Sequence, residues 1–249
     1  MNPALAVDPV SFPLWTTLGL GLVLGLRHAL DADHLAAVST FVSEERNLFR
    51  ASLIGVYWGV GHTTALLVFG FAIAAFRLTV SPRLSQYLEF AVGGMLVFLG
   101  ARVLLKMARG NPLQLHVHEH EHDGTPHAHP HFHGNSAGPA HRHHLRKGTR
   151  PFIVGVVHGL AGTGAVMLLV VSAIPSLLMA MGYILVFGLG CVGGMVVMSL
   201  LMSVPLALAA SRVRLVESLV RLTAGLFSLC FGLWLAWDVG VIQALLTKG

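Results

Sequence analysis

Apolar residues occupy this chain in long continuous stretches, and the polar breaks between them are mostly short. Alternation of period two would mark barrel strands. Continuous runs of Leu, Val and Gly about 20 or more residues long instead mark helices that cross a hydrocarbon core about 30 Å thick. Six spans are predicted, at about 12–42, 52–76, 84–107, 151–174, 177–205 and 214–238, giving an all-α polytopic membrane bundle. Pro82, Pro151 and Pro175 mark boundaries. The first stretch is longer than one crossing needs and is expected to be interrupted. A polar segment, 108–150, separates a first three-helix unit (1–107) from a second (151–249).

The two units resemble each other at an offset of about 130 residues. Leu26-Arg27-His28-Ala29-Leu30 answers Val156-Val157-His158-Gly159-Leu160, and Gly59-Val60-Gly61-His62 answers Gly188-Leu189-Gly190-Cys191. Gly93-Gly94-Met95-Leu96 is followed at a similar distance by Ala224-Gly225-Leu226. With three spans per unit, the second unit enters the membrane from the opposite side. That is an inverted repeat, an architecture in which sites lie at the repeat interface on interrupted helices. Gly21/Gly25, Gly55/Gly59, Gly155/Gly159 and Gly190/Gly194 have the spacing that lets membrane helices approach closely.

Composition agrees. The chain is 55% hydrophobic and 11% charged, where a soluble domain carries about a quarter charged residues. Cys191 and Cys230 lie inside apolar stretches, which argues against a disulfide framework. The basic residues sit at span ends, so they report topology and not a nucleic-acid partner. With the N-terminus outside, the inner connections hold Arg46, Arg50, Lys106, Arg109, Arg142, Arg146, Lys147, Arg150, Arg212 and Arg214, against Arg77, Arg83 and Lys248 outside. This predicts a multi-pass protein of the cytoplasmic membrane, both termini outside and segment 108–150 in the cytoplasm. No Lys or Arg precedes the first apolar run and Asp8 does, so that run is read as a retained span and not a signal peptide.

One segment breaks the apolar pattern. Arg27-His28-Ala29-Leu30-Asp31-Ala32-Asp33-His34 puts two carboxylates and two imidazoles inside the first span. One central Asp or Arg costs roughly 2.5–3.5 kcal/mol on insertion scales, so such groups persist there with a partner. His with Asp suggests a late first-row divalent metal ion, and the affinity order of these metals keeps ligand type from choosing among Ni, Co and Zn. On an ideal helix Asp33 and His34 project about 140° and 240° away from His28, so one face cannot hold all three. Either the helix is unwound here or the three do different jobs. Asp31 lies one turn from both imidazoles and could hold a tautomer. His62, in Trp58-Gly59-Val60-Gly61-His62-Thr63-Thr64, is the next ligand candidate. Its counterpart in the second unit is His158 by function or Cys191 by sequence. A purely structural hydrogen-bond network and a proton relay without metal remain alternatives.

These residues resemble the nickel/cobalt transporter (NiCoT, or NicO) superfamily. Its signature, His-x4-Asp-His within Arg-His-Ala-x-Asp-Ala-Asp-His, is similar to residues 27–34. A Gly-His-Ser/Thr element is similar to Gly61-His62-Thr63-Thr64, and His-Gly-Leu-x-Gly to His158-Gly159-Leu160-Ala161-Gly162. The resemblance implies that His28, Asp33 and His34 select and carry the metal, with His62 as a supporting ligand. Asp31, Thr63, His158 and Cys191 are further candidates, as ligands or as groups holding a ligand. The larger permeases of the superfamily have eight spans, so six spans with a His-rich loop point to its urease-accessory and efflux branches. Direction of transport stays open on that ground. The implied substrate is Ni2+ or Co2+, with no permanently bound cofactor. Implied partners are the lipid bilayer and a cytoplasmic metallochaperone or urease or hydrogenase maturation factors; the oligomeric state is not fixed.

The central segment carries His116, His118, His120, His122, His127, His129, His131, His133, His141, His143 and His144. Pro, Gly and Asn separate the clusters and apolar residues are few, so disorder without metal is expected. Imidazoles in such numbers bind Ni, Zn, Cu or Co with little selectivity. Such a loop can buffer, sense or hand over ions, or serve as a plain linker. No Gly-x4-Gly-Lys-Ser/Thr loop is present, so ATP is not the direct energy source. The leading expectation is a metal permease working in uptake. The competing classes are a proton-coupled metal exporter and a metal-binding membrane subunit or sensor. An enzyme fits worst, because no His-Glu-x-x-His pattern or Ser/His nucleophile pair stands out.

Overall fold

The apolar stretches fold as helices because a backbone without water must satisfy its own amides. The computed structural model describes residues 14–45, 47–76, 78, 81–109, 115–122, 125–132, 143–161, 174, 176–208 and 214–246. Its helices are α1 (Leu14–His28), α2 (Ala32–Val42), α3 (Leu48–Phe76), α4 (Pro82–Ala108), α5 (His143–Ala161), α6 (Leu177–Leu208) and α7 (Arg214–Leu246). Four of them contain a segment long and apolar enough to cross a membrane: Leu48–Phe76, Pro82–Ala108, Leu177–Leu208 and Leu215–Gly240.

The first predicted span is two helices. The α1 ladder ends in a tightened turn, with Leu30 N–H donating to Arg27 O at 2.9 Å and Asp31 N–H to His28 O at 3.0 Å. Asp31 then stands as the N-cap of α2 in extended conformation, and the ladder restarts with Leu35 N–H on Asp31 O at 3.0 Å.

The fourth predicted span begins earlier than expected. Helix α5 starts at His143, and Pro151 lies inside it and does not open it. A proline removes one amide donor yet leaves the carbonyls on either side free to accept, so the turn ahead of Pro151 can still form at a cost. Gly148 helps, because it packs against the Tyr57 ring, where a Cβ would come within 2.7 Å. By contrast Pro82 does open α4, behind Ser81, whose hydroxyl accepts from Leu84 N–H at 3.2 Å. Positions 162–173 of that predicted span lie outside the described residues, as do Arg46, Arg77, Arg142, Pro175, Arg212 and Lys248.

Helix α3 lies between α5 and α6; α6 also packs on α1, α4 pairs with α7, and α2 reaches α4, α6 and α7. The crossings are close because glycines sit at them. A Cβ on Gly159 would fall 2.6 Å from His62 O, and one on Gly155 would overlap Trp58 O. Between α4 and α7, Ser228 Oγ donates to Leu96 O at 2.9 Å. The interior is small and dense, with Ala29, Ala36, Ala37, Val38, Trp58, Val92, Leu96 and Met195 all buried. Outward faces carry Phe69, Phe71, Phe90, Phe98, Leu189, Val197 and Leu201, apolar groups suited to lipid and costly in water. At one end of the bundle Lys106 Nζ lies 2.9 Å from Glu44 Oε1, so the α2–α3 connection and the end of α4 share that end.

Between α4 and α5 the backbone pairs as an antiparallel hairpin, β1 (Leu115–His122) with β2 (Thr125–Phe132), where the sequence reading has no regular structure. His133 and His141 lie outside the described residues, and His143 and His144 open α5.

Candidate metal centre

The break between α1 and α2 resolves the angular problem posed by residues 28–34. An unbroken helix would send His28 and His34 to different faces; the turn at Ala29-Leu30-Asp31 brings their rings to 4.4 Å, edge to face. His62 arrives from α3, with its ring 5.2 Å from each. His158 arrives from α5, 4.3 Å from His34. All four imidazoles are buried, drawn from both halves of the chain. Ligand atoms of His28, His34 and His62 lie within 4.8 Å of one another, and so do those of Asp33, His34 and His158.

The carboxylates set the orientation of these rings. Asp31 Oδ2 accepts from His28 Nδ1 at 2.6 Å. An N-cap Asp ordinarily accepts from its own helix's first amides; here the side chain makes no cap bond and is spent on His28. Asp33 Oδ1 accepts from the His34 backbone N–H at 2.9 Å and from His34 Nδ1 at 3.1 Å, and Oδ2 accepts from His158 Nε2 at 2.7 Å. A neutral imidazole has one N–H and one lone pair. Donation from Nδ1 therefore leaves the lone pairs of His28 and His34 on Nε2, and donation from Nε2 leaves that of His158 on Nδ1.

Those lone-pair nitrogens have no protein partner among the described residues. His28 Nε2, His34 Nε2, His158 Nδ1 and both nitrogens of His62 are buried and unpaired among the described residues. Each such group costs about 1–3 kcal/mol when left unsatisfied. Neutral ring nitrogens clustered in this way are the kind of donor that suits Ni, Co, Cu or Zn.

Two aromatic rings complete the walls. Phe187 of α6 stacks on His28 at 5.7 Å. Trp58, fully buried, lies 5.7 Å from His158 and 6.3 Å from His34. Sequence reasoning did not single out either ring; Trp58 falls one helical turn before His62, a spacing that could have drawn attention to it.

The predicted residues thus separate. His28, Asp33, His34, His62, Asp31 and His158 come together. Thr63 and Cys191 do not join either grouping: Thr63 Oγ1 donates to Gly59 O at 2.7 Å, and Cys191 is buried with Leu66, Tyr183, Ile184 and Phe187. The side chains of the loop histidines are not among those described.

Over 238 residues the chain is 35% identical to the urease accessory protein UreH of Bacillus sp. (strain TB-90), covering 93% of this chain and 95% of that protein. The chain belongs to the UreH family. A second relative, the high-affinity nickel transport protein of Cupriavidus necator, is 32% identical over 83 residues, 33% of this chain and 23% of that protein. Both agree with the resemblance to the nickel/cobalt transporter superfamily carried by residues 27–34, 61–64 and 158–162. No family model matches the chain, and no solved structure matches it.

Proposed function

We propose that this chain is a secondary transporter that moves Ni2+ or Co2+ across the cytoplasmic membrane, in the direction of uptake. One observation carries the reading: a ring nitrogen from each of the buried His28, His34 and His62 lies within 4.8 Å of the other two, and each of these rings has a buried nitrogen unpaired among the described residues. The ion sheds water onto these three imidazoles. Asp31 holds His28, and Asp33 holds both His34 and His158, keeping each ring's lone pair free for metal. The second relative's name, a nickel transport protein, supports the substrate class. An enzymatic role has no support in either relative's name.

The packing supports an inverted pair of three-span units. Helix α1 meets α6 and α5 meets α3, so the first helix of each unit packs on the second helix of the other. Pairing of α3 with α6 and of α4 with α7 completes what a two-fold relation requires. In this reading α1 and α2 together make one crossing, α5 with positions 162–173 makes another, and the Lys and Arg distribution puts both termini outside. Access alternates as the two units move about the imidazoles. Inward movement of a divalent cation gains about 4.6 kcal/mol at 100 mV, enough to drive uptake without ATP.

Radiolabelled nickel flux into proteoliposomes holding only this chain tests the proposal, with His28→Ala alongside and cobalt and zinc as competitors. Flux that cobalt blocks and the variant lacks, and that an inside-negative potential accelerates, is the expected result. Flux driven outward by a pH gradient would make the chain an exporter. No flux from a folded, metal-binding protein would make it a subunit of a larger importer.

A further inference from the structure

Arg27 is exposed, and its guanidinium makes no hydrogen bond or ion pair among the described residues. Its place in the chain makes that isolation unusual. At the helical rise α1 is about 22 Å long and α2 about 16 Å, and together they exceed a hydrocarbon core about 30 Å thick. Arg27 and Asp31 bracket the break between them, too deep for a side chain to carry its charge to the membrane surface. A charge at that depth does not face lipid; it faces protein or a water-filled space.

Exposure falls in steps from this point into the metal centre. The Asp31 side chain is 52% exposed, that of Asp33 20% and that of His28 6%, while that of His158 is fully sealed. The approach to the centre therefore runs past Asp31 to Asp33 and His28. It is also one-sided. Toward the start of α1, Leu26, Val23 and Leu20 stay exposed, whereas along α2 Ala36, Ala37, Val38 and Val42 are all buried. The second unit has no counterpart to this opening. At the repeat offset Val157 and Ala161 stand where the first unit has Arg27 and Asp31, and Ala161 is buried.

We propose that Arg27 and Asp31 line a water-filled vestibule, open toward the N-terminal end of α1, by which a divalent cation reaches Asp33 and His28. The inference rests on the reading of α1 with α2 as one membrane crossing. In water the guanidinium keeps its hydration and needs no protein partner, which accounts for its isolation. Asp31 is the first anionic group that an entering cation meets, and its hydrogen bond with His28 Nδ1 ties that point to the first ring. A second copy of the chain packed on this face would also take the charges out of lipid, but it would close the approach that the exposure of Asp33 and His28 marks. An opening on one side with burial on the other is what a carrier that alternates access requires.

The test is thiol labelling of the full-length chain in membranes, in a Cys191→Ala/Cys230→Ala background, with a membrane-impermeant cationic methanethiosulfonate. The thiolate is the reacting form, so a cysteine against lipid or packed protein stays inert. Arg27→Cys and Ala32→Cys report the vestibule; Ala32 is exposed beside Asp31, and its replacement removes no charge, so it reports even where Arg27→Cys fails to fold. Trp15→Cys marks the N-terminal side of α1, and Leu189→Cys marks the exposed apolar face of α6. Both reporters are expected to label from the side that labels Trp15→Cys, at least about tenfold faster than Leu189→Cys. Labelling no faster than Leu189→Cys would overturn the vestibule, and oxidation that joins two chains at either reporter would overturn it in favour of a second copy. Labelling from the opposite side alone would overturn its direction. Equally rapid labelling of all four positions from both sides would instead remove the membrane crossing on which the inference rests. No flux is measured, so failure of the transport reading leaves each outcome interpretable.

Discussion

Asp33 and His158, 125 positions apart in the chain, are joined by a 2.7 Å hydrogen bond from His158 Nε2 to the Asp33 carboxylate. The same carboxylate holds His34 through its other oxygen. One side chain therefore ties the first half of the protein to the second and fixes two imidazoles at once. In the Asp33→Asn variant the amide can accept at one atom only, so either His34 or His158 loses its orienting partner. Nickel affinity is expected to fall about 10–100-fold, the usual cost of removing a carboxylate that orients a ligand. Equilibrium dialysis of Asp33→Asn, His158→Ala and the double variant checks this; strictly additive losses would show that the two residues act separately.

His62 differs from its neighbours in having both ring nitrogens unpaired among the described residues. A structural histidine would lose a hydrogen bond on replacement, whereas this one loses none among the described residues. His62→Leu is thus expected to keep thermal stability within about 1 kcal/mol, since removal of unpaired polar atoms offsets the change in packing. Nickel flux should be lost. Thermal unfolding in detergent beside proteoliposome flux separates the two effects, and a marked fall in melting temperature would assign His62 to the fold.

Residues 27–34 were legible in the sequence because charge is costly in an apolar run, and the angular argument made an interruption near them one of two options. What sequence could not give was how the break is used. Asp31 was legible by its spacing as a group that could hold an imidazole, and the three-dimensional arrangement shows that the ring it holds is His28. His158 read more readily as an ordinary interhelical hydrogen-bond partner than as a ligand, because nothing local distinguishes the two. The glycines of α5 were legible as sites of close approach, yet which helix approaches depends on distant contacts. Pro151 misled for a physical reason: proline punctuates helices on average, but here the turn ahead of it forms regardless.

Cys191 offers a sharp contrast with the imidazoles. A thiolate would be a strong ligand for a late transition metal, and the repeat aligns this residue with His62. Its side chain instead packs with Leu66, Tyr183, Ile184 and Phe187, outside both donor groupings. Cys191→Ala is expected to leave nickel affinity within about twofold and to cost roughly 1 kcal/mol of stability through lost packing. A tenfold loss of affinity would bring the thiol into the site during transport.

Gly159 decides how close α5 can come to α3, and with it whether His158 reaches Asp33. A Cβ at this position would lie 2.6 Å from His62 O, nearer than real Cβ contacts allow, and 3.0 Å from the Ala65 methyl, a tight contact. The obstacle on one side is backbone, which cannot swing aside as a long side chain would, so the helices must separate. Overpacking of this kind costs about 1–3 kcal/mol. The geometric consequence is larger, because a hydrogen bond of 2.7 Å tolerates only a few tenths of an ångström before it weakens. Gly159→Val is therefore expected to insert in the membrane, unfold at lower temperature, and lose nickel affinity to the same degree as His158→Ala. In the combined variant the affinity loss should not grow further, since both changes remove the same link. Calorimetric nickel titration of the two single variants and the double one checks this, and a further loss in the double would mean that Gly159 acts on the site by another route.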